Sequence, residues 1–342
     1  MKKIVLLLMV FAVAMFFSAC PEDDNGGKPP VTTVYIVGYY NNGGKYIACY
    51  WKNGEKTDLS DGTDYSSASA IAASGNSVYI AGSYSNSGKR IACYWKNGIR
   101  TNLPAETDNS YYASAIAVSG NTVYIAGRYN DGSKDIACYW KNGKKTDLYD
   151  GTGNSTVTAI AVSGNSVYIA GSYVDGSKTI ACYWKDGEKT DLEGTGNSST
   201  ATSIAVSGGK VYVAGLTEYF TSTCYWENGE MTIINTGIGS NQHPAIAVSG
   251  GKVYVAKIYY YNGKIIACYW ENGKRTVLYD GEDHSVAQSI VVSGNSLYIA
   301  GYYIDGSKSV PCYWKNGKKT DLYNGTDGTG LSEAYAIAVV KE

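Results

Sequence analysis

The most reactive side chains in this sequence recur on a fixed schedule. The triplet Cys-Tyr-Trp stands at Cys49, Cys93, Cys138, Cys182, Cys224, Cys268 and Cys312, at spacings of 44, 45, 44, 42, 44 and 44 residues. It accounts for all seven tryptophans and for every cysteine except Cys20. So many thiols raise disulfide and metal chemistry, and the pattern argues against both. A disulfide needs Cα atoms within about 7 Å, whereas equivalent residues of successive repeats fall in separate sheets packed about 10 Å apart. The repeated set is odd in number, and no Cys-x-x-Cys or Cys-x-x-His pair occurs. The cysteines are expected to be small buried hydrophobes. The tryptophans are expected to fill the space between repeats.

Other candidate chemistry is sparse. His243 and His284 lie in connections between repeats, and neither has the neighbours of a catalytic triad. His284 follows Glu282-Asp283, which leaves a His–carboxylate metal site open beside the preferred reading of a solvated loop. Acid-plus-glycine loops such as Asp131-Gly132-Ser133-Lys134 and Asp150-Gly151-Thr152 could hold Ca²⁺, but none has EF-hand spacing. Turn formation explains them better. These residues call for no metal and no cofactor.

The elements that position these residues are four short strand-like pieces per repeat. From the fourth copy they are a (Ala159-Ile160-Ala161-Val162), b (Val167-Tyr168-Ile169-Ala170-Gly171), c (Ile180-Ala181-Cys182-Tyr183-Trp184) and d (Lys189-Thr190-Asp191-Leu192). They are rich in β-branched and aromatic residues and bounded by Gly, Asn, Asp and Ser. Asn-Gly and Gly-Asn between them supply the positive φ of tight hairpins. Four antiparallel strands in about 44 residues is the size of one propeller blade. The first unit begins at strand b, Val34-Tyr35-Ile36-Val37-Gly38, and the chain ends on a strand a, Ala336-Ile337-Ala338-Val339. The two fragments together make one blade, and joining them leaves no unpaired edge. The expected fold is all-β: a seven-bladed propeller over residues 33–342, closed by the C-terminal strand pairing with the N-terminal one. An open β-solenoid is the alternative.

Blade geometry divides the loops between two rims. The a–b and c–d turns share one rim, which is basic through residues such as Lys96, Lys141, Lys185 and Lys315. The b–c and d–a connections share the other, and are expected to be longer and more variable. Tyrosine-rich segments collect there, and tyrosine offers wide contact area with a polar tip. The residues that depart most from the repeat, Tyr111, Tyr112, Tyr219, Phe220, Tyr260 and Tyr261, are the candidates for ligand binding. Tyr84 and Tyr129 share a face with Val78 and Val123 and are expected to be core. Lys257 stands where other units have Gly, and Pro311 inside a strand c implies a bulge.

The N-terminus reads as an export signal. Met1-Lys2-Lys3 precedes an apolar run of 14 residues, Ile4 to Phe17, shorter than the about 20 a spanning helix needs. Phe17-Ser18-Ala19-Cys20 resembles the lipobox of bacterial lipoproteins, with Phe17 where Leu is usual. The resemblance implies cleavage after residue 19, acylation of Cys20 and anchoring to a membrane. Residues 20–32 then form a flexible tether. Its acidic run, Glu22-Asp23-Asp24, is similar to the signal that sends some lipoproteins to the outer cell surface. Removing residues 1–19 leaves 27 basic and 30 acidic residues, a formal charge of −3. Such a balance offers no field for nucleic acid.

The unit also resembles the extracellular HAF repeat, with Tyr94-Trp95-Lys96-Asn97-Gly98 followed by Asn102-Leu103, and Tyr139-Trp140-Lys141-Asn142-Gly143 followed by Asp147-Leu148. It departs from that family in having Cys-Tyr where the family has Phe-Leu. The resemblance implies export and β structure, and no reaction. The functional expectation is a cell-envelope, lipid-anchored, non-enzymatic binding or adhesion module for a protein or glycan. Two alternatives stand beside it: a glycan lyase or hydrolase acting at the central funnel, and a scaffold subunit of an envelope complex. For an enzyme only Glu218, Asp283 and His284 qualify, and they come from different blades.

Overall fold

The computed structural model describes residues 31–42, 45–63, 65–105, 109–149, 151–196, 198–217, 221–236, 243–278, 283–322 and 332–341. Cys20, Glu218, Tyr219 and Phe220 lie outside the described residues, as do the expected signal and most of the tether. Twenty-eight strands among the described residues form seven four-stranded antiparallel sheets. Blade four shows the unit: strand a Ser155–Ser163, b Ser166–Asp175, c Lys178–Lys185 and d Glu188–Asp191, hydrogen-bonded in that order.

Blade one is assembled from both ends of the chain. Its strands b (Thr32–Asn42), c (Lys45–Lys52) and d (Glu55–Asp58) are completed by strand a, Ser332–Lys341, with Ile36 opposite Ile337 and Tyr39 opposite Glu333. Strand a of every blade lies against strand a of the next, including blade seven on blade one and blade one on blade two. The molecule is therefore a closed seven-bladed propeller, with strands a innermost around the central channel.

The Cys-Tyr-Trp triplet is the inter-blade core. Strand alternation puts Cys93 and Trp95 on one face of blade two, packed with Ile71, Val78 and Ile80 against Tyr35, Val37, Ala48 and Ala336 of blade one. The same arrangement joins Cys138 and Trp140 of blade three to Ala70, Ala81 and Tyr94 of blade two. All seven triplet cysteines are buried free thiols in separate sheets. Burial pushes the Cys93 and Cys268 thiols up to about 12. Each large apolar side chain so buried stabilises the fold by about 1.5–3 kcal/mol. The indoles also tie blades together: Trp95 Nε1 donates to the Leu59 carbonyl at 2.9 Å, and Trp226 Nε1 to that of Glu193 at 2.6 Å.

One polar device recurs in every sheet, and a second recurs in blades one, three, four and seven. In the c–d turn, Asn or Asp takes φ of 48–53° and its side chain accepts an N–H near the start of strand b. This bond runs from Val34 to Asn53, from Val123 to Asn142 and from Val167 to Asp186, at 2.8–2.9 Å. On the strand d side, a tyrosine hydroxyl donates to the aspartate of the Asp-Leu pair while a lysine covers the ring. Tyr40 donates to Asp58 at 3.0 Å with Lys56 Nζ 3.5 Å from the ring centroid. Tyr173 does the same with Asp191 and Lys189, and Tyr303 with Asp321 and Lys319. Tyr129 is buried in this way with Asp147 and Lys145, and Tyr84 is buried in a variant of it, its hydroxyl accepting from Asn102 Nδ2 at 3.1 Å with Arg100 over the ring. Blade five abandons the whole set: Thr217, Met231 and Ile233 stand at the three positions.

Two expectations need correction. The b–c connections are mostly not long. Strands b and c run on past the repeat core, and close in two-residue turns at Ser87-Gly88 and Asn262-Gly263, with φ of 50° and 80°, and 49° and 78°. Such φ pairs suit the twist of a two-residue hairpin, so the greater length sits in the d–a connections. Pro311 produces no bulge either, since it pairs with Tyr302 in unbroken register. At the equivalent positions Ala137 and Ala181 send their N–H to Ser155 and Ser199 hydroxyls of the next blade. Proline therefore forfeits a side-chain bond rather than a ladder bond. In compensation, Ser309 Oγ donates to the Ser332 carbonyl at 2.7 Å.

Candidate functional site

A binding surface on a repeat protein is sought where copies differ. Strand a supplies such positions at the rim where it begins, next to the channel. Its second residue is Ser67 in blade two, Thr156 in blade four and Tyr112 in blade three. A bulge two residues later turns the strand in six of the seven blades.

Strand alternation sends the two neighbouring tyrosines of blade three to opposite faces of the sheet. Tyr111 is 2% exposed, stacked on Tyr129 at 5.0 Å and packed beside Trp140. It belongs to the core and has no surface for a ligand, which corrects its candidacy. Tyr112 points the other way and is half-buried. Register sets it opposite Arg128, whose guanidinium lies 4.8 Å from the Tyr112 ring centroid.

Tyr112 and Arg128 line a polar cleft of about 440 Å³ with Lys89, Ser110, Asn130 and Asp135. Arg128 Nε pairs with Asp135 Oδ2 at 3.2 Å, and Asn130 Nδ2 donates to Asp135 Oδ1 at 3.0 Å. The carboxylate thus fixes both the guanidinium and the amide. The cleft presents a tyrosine ring, a guanidinium, a carboxylate, an amide and an ammonium within one small volume. That set can stack on an apolar sugar face and bond several hydroxyls at once. Lys89, Arg128, Asn130 and Asp135 were not among the residues singled out from sequence. Their signal was the company Tyr112 keeps across the register.

Tyr260 and Tyr261 tip the b–c hairpin of blade six, 52% and 55% exposed, with Tyr261 stacked on Tyr259. The structure does not bring them to Tyr112, which is on blade three. His284 Nδ1 accepts the Ile265 N–H at 2.9 Å, a bond made for blade three by Asn154 to Asp135, so the imidazole caps a strand. Asp283 Oδ2 accepts the Gly306 N–H. Asp131 Oδ1 accepts the N–H of Ser133 and Lys134, which holds its carboxyl below the usual carboxylate range. Among the described residues no three His, Cys, Asp or Glu side chains gather as a metal site requires. On the opposite rim Lys96, Lys141 and Lys315 are exposed and sit over Tyr79, Tyr124 and Tyr298 of their own blades, 5.3–5.4 Å from the ring centroids.

No protein-family model and no curated protein matches the chain. Among solved structures it is similar to an acylaminoacyl peptidase from Pyrococcus horikoshii, with a TM-score of 0.49 and 13% identity over 85% of this chain and 53% of that one. It is also similar to a structure from work on two prolyl endopeptidases, with a TM-score of 0.47 and 12% identity over 89% of this chain and 50% of that one. The chain spans about half the length of each.

Proposed function

We propose that this chain is an exported, lipid-anchored, non-enzymatic binding module that takes a glycan on the rim where strands a begin. The observation that carries the reading is the Tyr112–Arg128 cleft, where the repeat gives way to an aromatic face ringed by charged and amide groups. Export and anchoring rest on Lys2-Lys3, the apolar run and Ser18-Ala19-Cys20. The HAF-like unit agrees with an extracellular setting. The exposed Tyr260–Tyr261 hairpin favours a second reading, a protein partner met by the same rim.

A glycan array probed with the full chain tests the first reading, with Tyr112→Ala and Arg128→Gln as variants. Binding that falls at least about tenfold in both supports it. Binding that survives both, or capture of a protein with no glycan bound, sinks the glycan reading. Cys20→Ser is expected to abolish labelling by a fatty-acid analogue. Protease added to intact cells is expected to remove the propeller, and full protection would place it inside the envelope.

A further inference from the structure

Blade one carries a second departure from the repeat, away from the Tyr112 cleft. On strand a of this blade the second residue is Glu333, and the bulged residue is Tyr335, where blades two and four have Ser69 and Thr158. Glu333 stands opposite Tyr39 on strand b, at positions that in blade two hold Ser67 and Ser83. The Tyr39 ring meets Tyr46 of strand c edge-on, with centroids 4.9 Å apart, and Tyr335 at 5.4 Å. Two rings, Tyr39 and Tyr335, thus flank one half-buried carboxyl group, and Tyr46 from a third strand extends the aromatic cluster beside Tyr39.

The tyrosine hydroxyls bond that carboxyl. Tyr335 and Tyr39 both hydrogen-bond Glu333, but burial outweighs them and its carboxyl is pushed above the usual carboxylate range. Burial, with the Glu333 charge beside it, pushes Tyr39 up to about 12. Tyr302 of blade seven lies close enough to feel the same charge, and it too is pushed up to about 12, chiefly by burial. Among the described residues the groups acting on Glu333 are these tyrosines, with no lysine, arginine or histidine beside them.

The rest of the molecule shows how this protein completes such a set. Where a tyrosine hydroxyl meets a carboxylate on the strand d side, a cation covers the ring: Lys56 on Tyr40, Lys145 on Tyr129, Lys189 on Tyr173, Lys319 on Tyr303. Ring, carboxylate and cation are mutually stabilising, because the ring face and the carboxylate both attract positive charge. At the mouth of the channel in blade one the rings and the carboxylate are present and the chain supplies no described cation. We propose that Tyr39, Tyr46, Tyr335 and Glu333 form a binding site for an alkylammonium group of a ligand. The site is separate from the Tyr112 cleft and stands whether or not that cleft binds glycan. Such a group comes from a free quaternary amine or from a lysine side chain of a peptide, and the rings and carboxylate suit either.

The test is calorimetric titration of the full chain with choline and, separately, with acetyl-Gly-Lys-Gly-amide, at constant ionic strength. Neutral 3,3-dimethylbutan-1-ol, which has the shape of choline without its charge, is the control. Saturable binding of at least one ammonium probe is expected, with binding of the neutral alcohol weaker by about tenfold or more. The better of the two ammonium probes identifies the source. Glu333→Gln, nearly isosteric and checked by its melting curve, is expected to weaken binding about tenfold, and Tyr335→Ala to weaken it similarly. Tyr112→Ala is expected to leave it unchanged. No saturable binding of either ammonium, equal binding of the alcohol, or undiminished binding in Glu333→Gln would overturn the proposal.

Discussion

The indole N–H of Trp95 in blade two donates to the backbone carbonyl of Leu59 in blade one at 2.9 Å. The bond crosses a blade boundary and ends on the last residue of the Asp-Leu pair, so two parts of the repeat signature meet in space. Trp184, at the same place in blade four, is buried with no partner for its Nε1 among the described residues. Replacing either with Phe removes similar volume, but only Trp95→Phe breaks a bond and strands a carbonyl. Trp95→Phe is expected to destabilise the fold by about 1–1.5 kcal/mol more than Trp184→Phe. Paired urea melts of the two variants measure the difference.

The glycine in the middle of strand b is set by the bulge. A Cβ on Gly171 would be driven into the Thr156 carbonyl and to 2.9 Å from Trp184, and neither backbone nor indole can yield. Gly171→Ala is expected to cost about 3 kcal/mol or more. In blade six strand a begins only at Ala245, past the place of the bulge, and Lys257 occupies the glycine position. Lys257→Ala is therefore expected to fold. Expression and thermal melts of the two alanine variants check the contrast; equal damage would mean the bulge is not the cause.

The fold was legible because its determinants are local and repeated. Strand alternation, Asn-Gly turns and the split blade required only the chain compared with itself. The site was less legible, for reasons visible in single residues. Tyr111 and Tyr112 are neighbours of the same type, and only the face set by the register decides which is core. Glu333 shares its column with Ser67, Tyr112 and Thr156, and that column comes into line only when the bulged residue is counted. The extension of strands b and c, as in Ser85-Asn86 and Lys89-Arg90, is polar at the blade's end and carries no apolar alternation to announce a strand. Pro311 reads as a break until the destination of its missing N–H is known.

All seven triplet thiols are buried, and burial pushes those of Cys49, Cys93, Cys182, Cys268 and Cys312 upward, so little thiolate forms there near neutral pH. Native protein treated with iodoacetamide at pH 8 is expected to show no alkylation at Cys49, Cys93, Cys138, Cys182, Cys224, Cys268 or Cys312. In guanidinium all seven should be modified. Mass spectrometry of peptides reads each site, and rapid native labelling at any of them would mean that the blade interface opens there.

Lys257 gives the fold a pH dependence of definite sign. Its side chain is 4% exposed and bonds the Thr223 hydroxyl of blade five, at a strand c position that holds Ala in blades one to four. Burial pushes its ammonium down to about 8, against about 10.4 in an unfolded chain. Between those values the unfolded chain binds more protons, so stability contributed by this site rises with pH through the window. Below pH 8 both states carry the proton, and the folded state bears the full cost of a buried charge. Lys257→Met removes that cost, and is expected to be more stable than the parent by about 1–3 kcal/mol at pH 7. The advantage should shrink as pH rises toward 10, where the parent folds with a neutral amine. Urea melts of both proteins from pH 7 to 10 follow the difference, in which the tyrosine titrations common to both cancel. A constant difference across that range would show that Lys257 stays charged in its burial site, held by a partner stronger than the Thr223 hydroxyl.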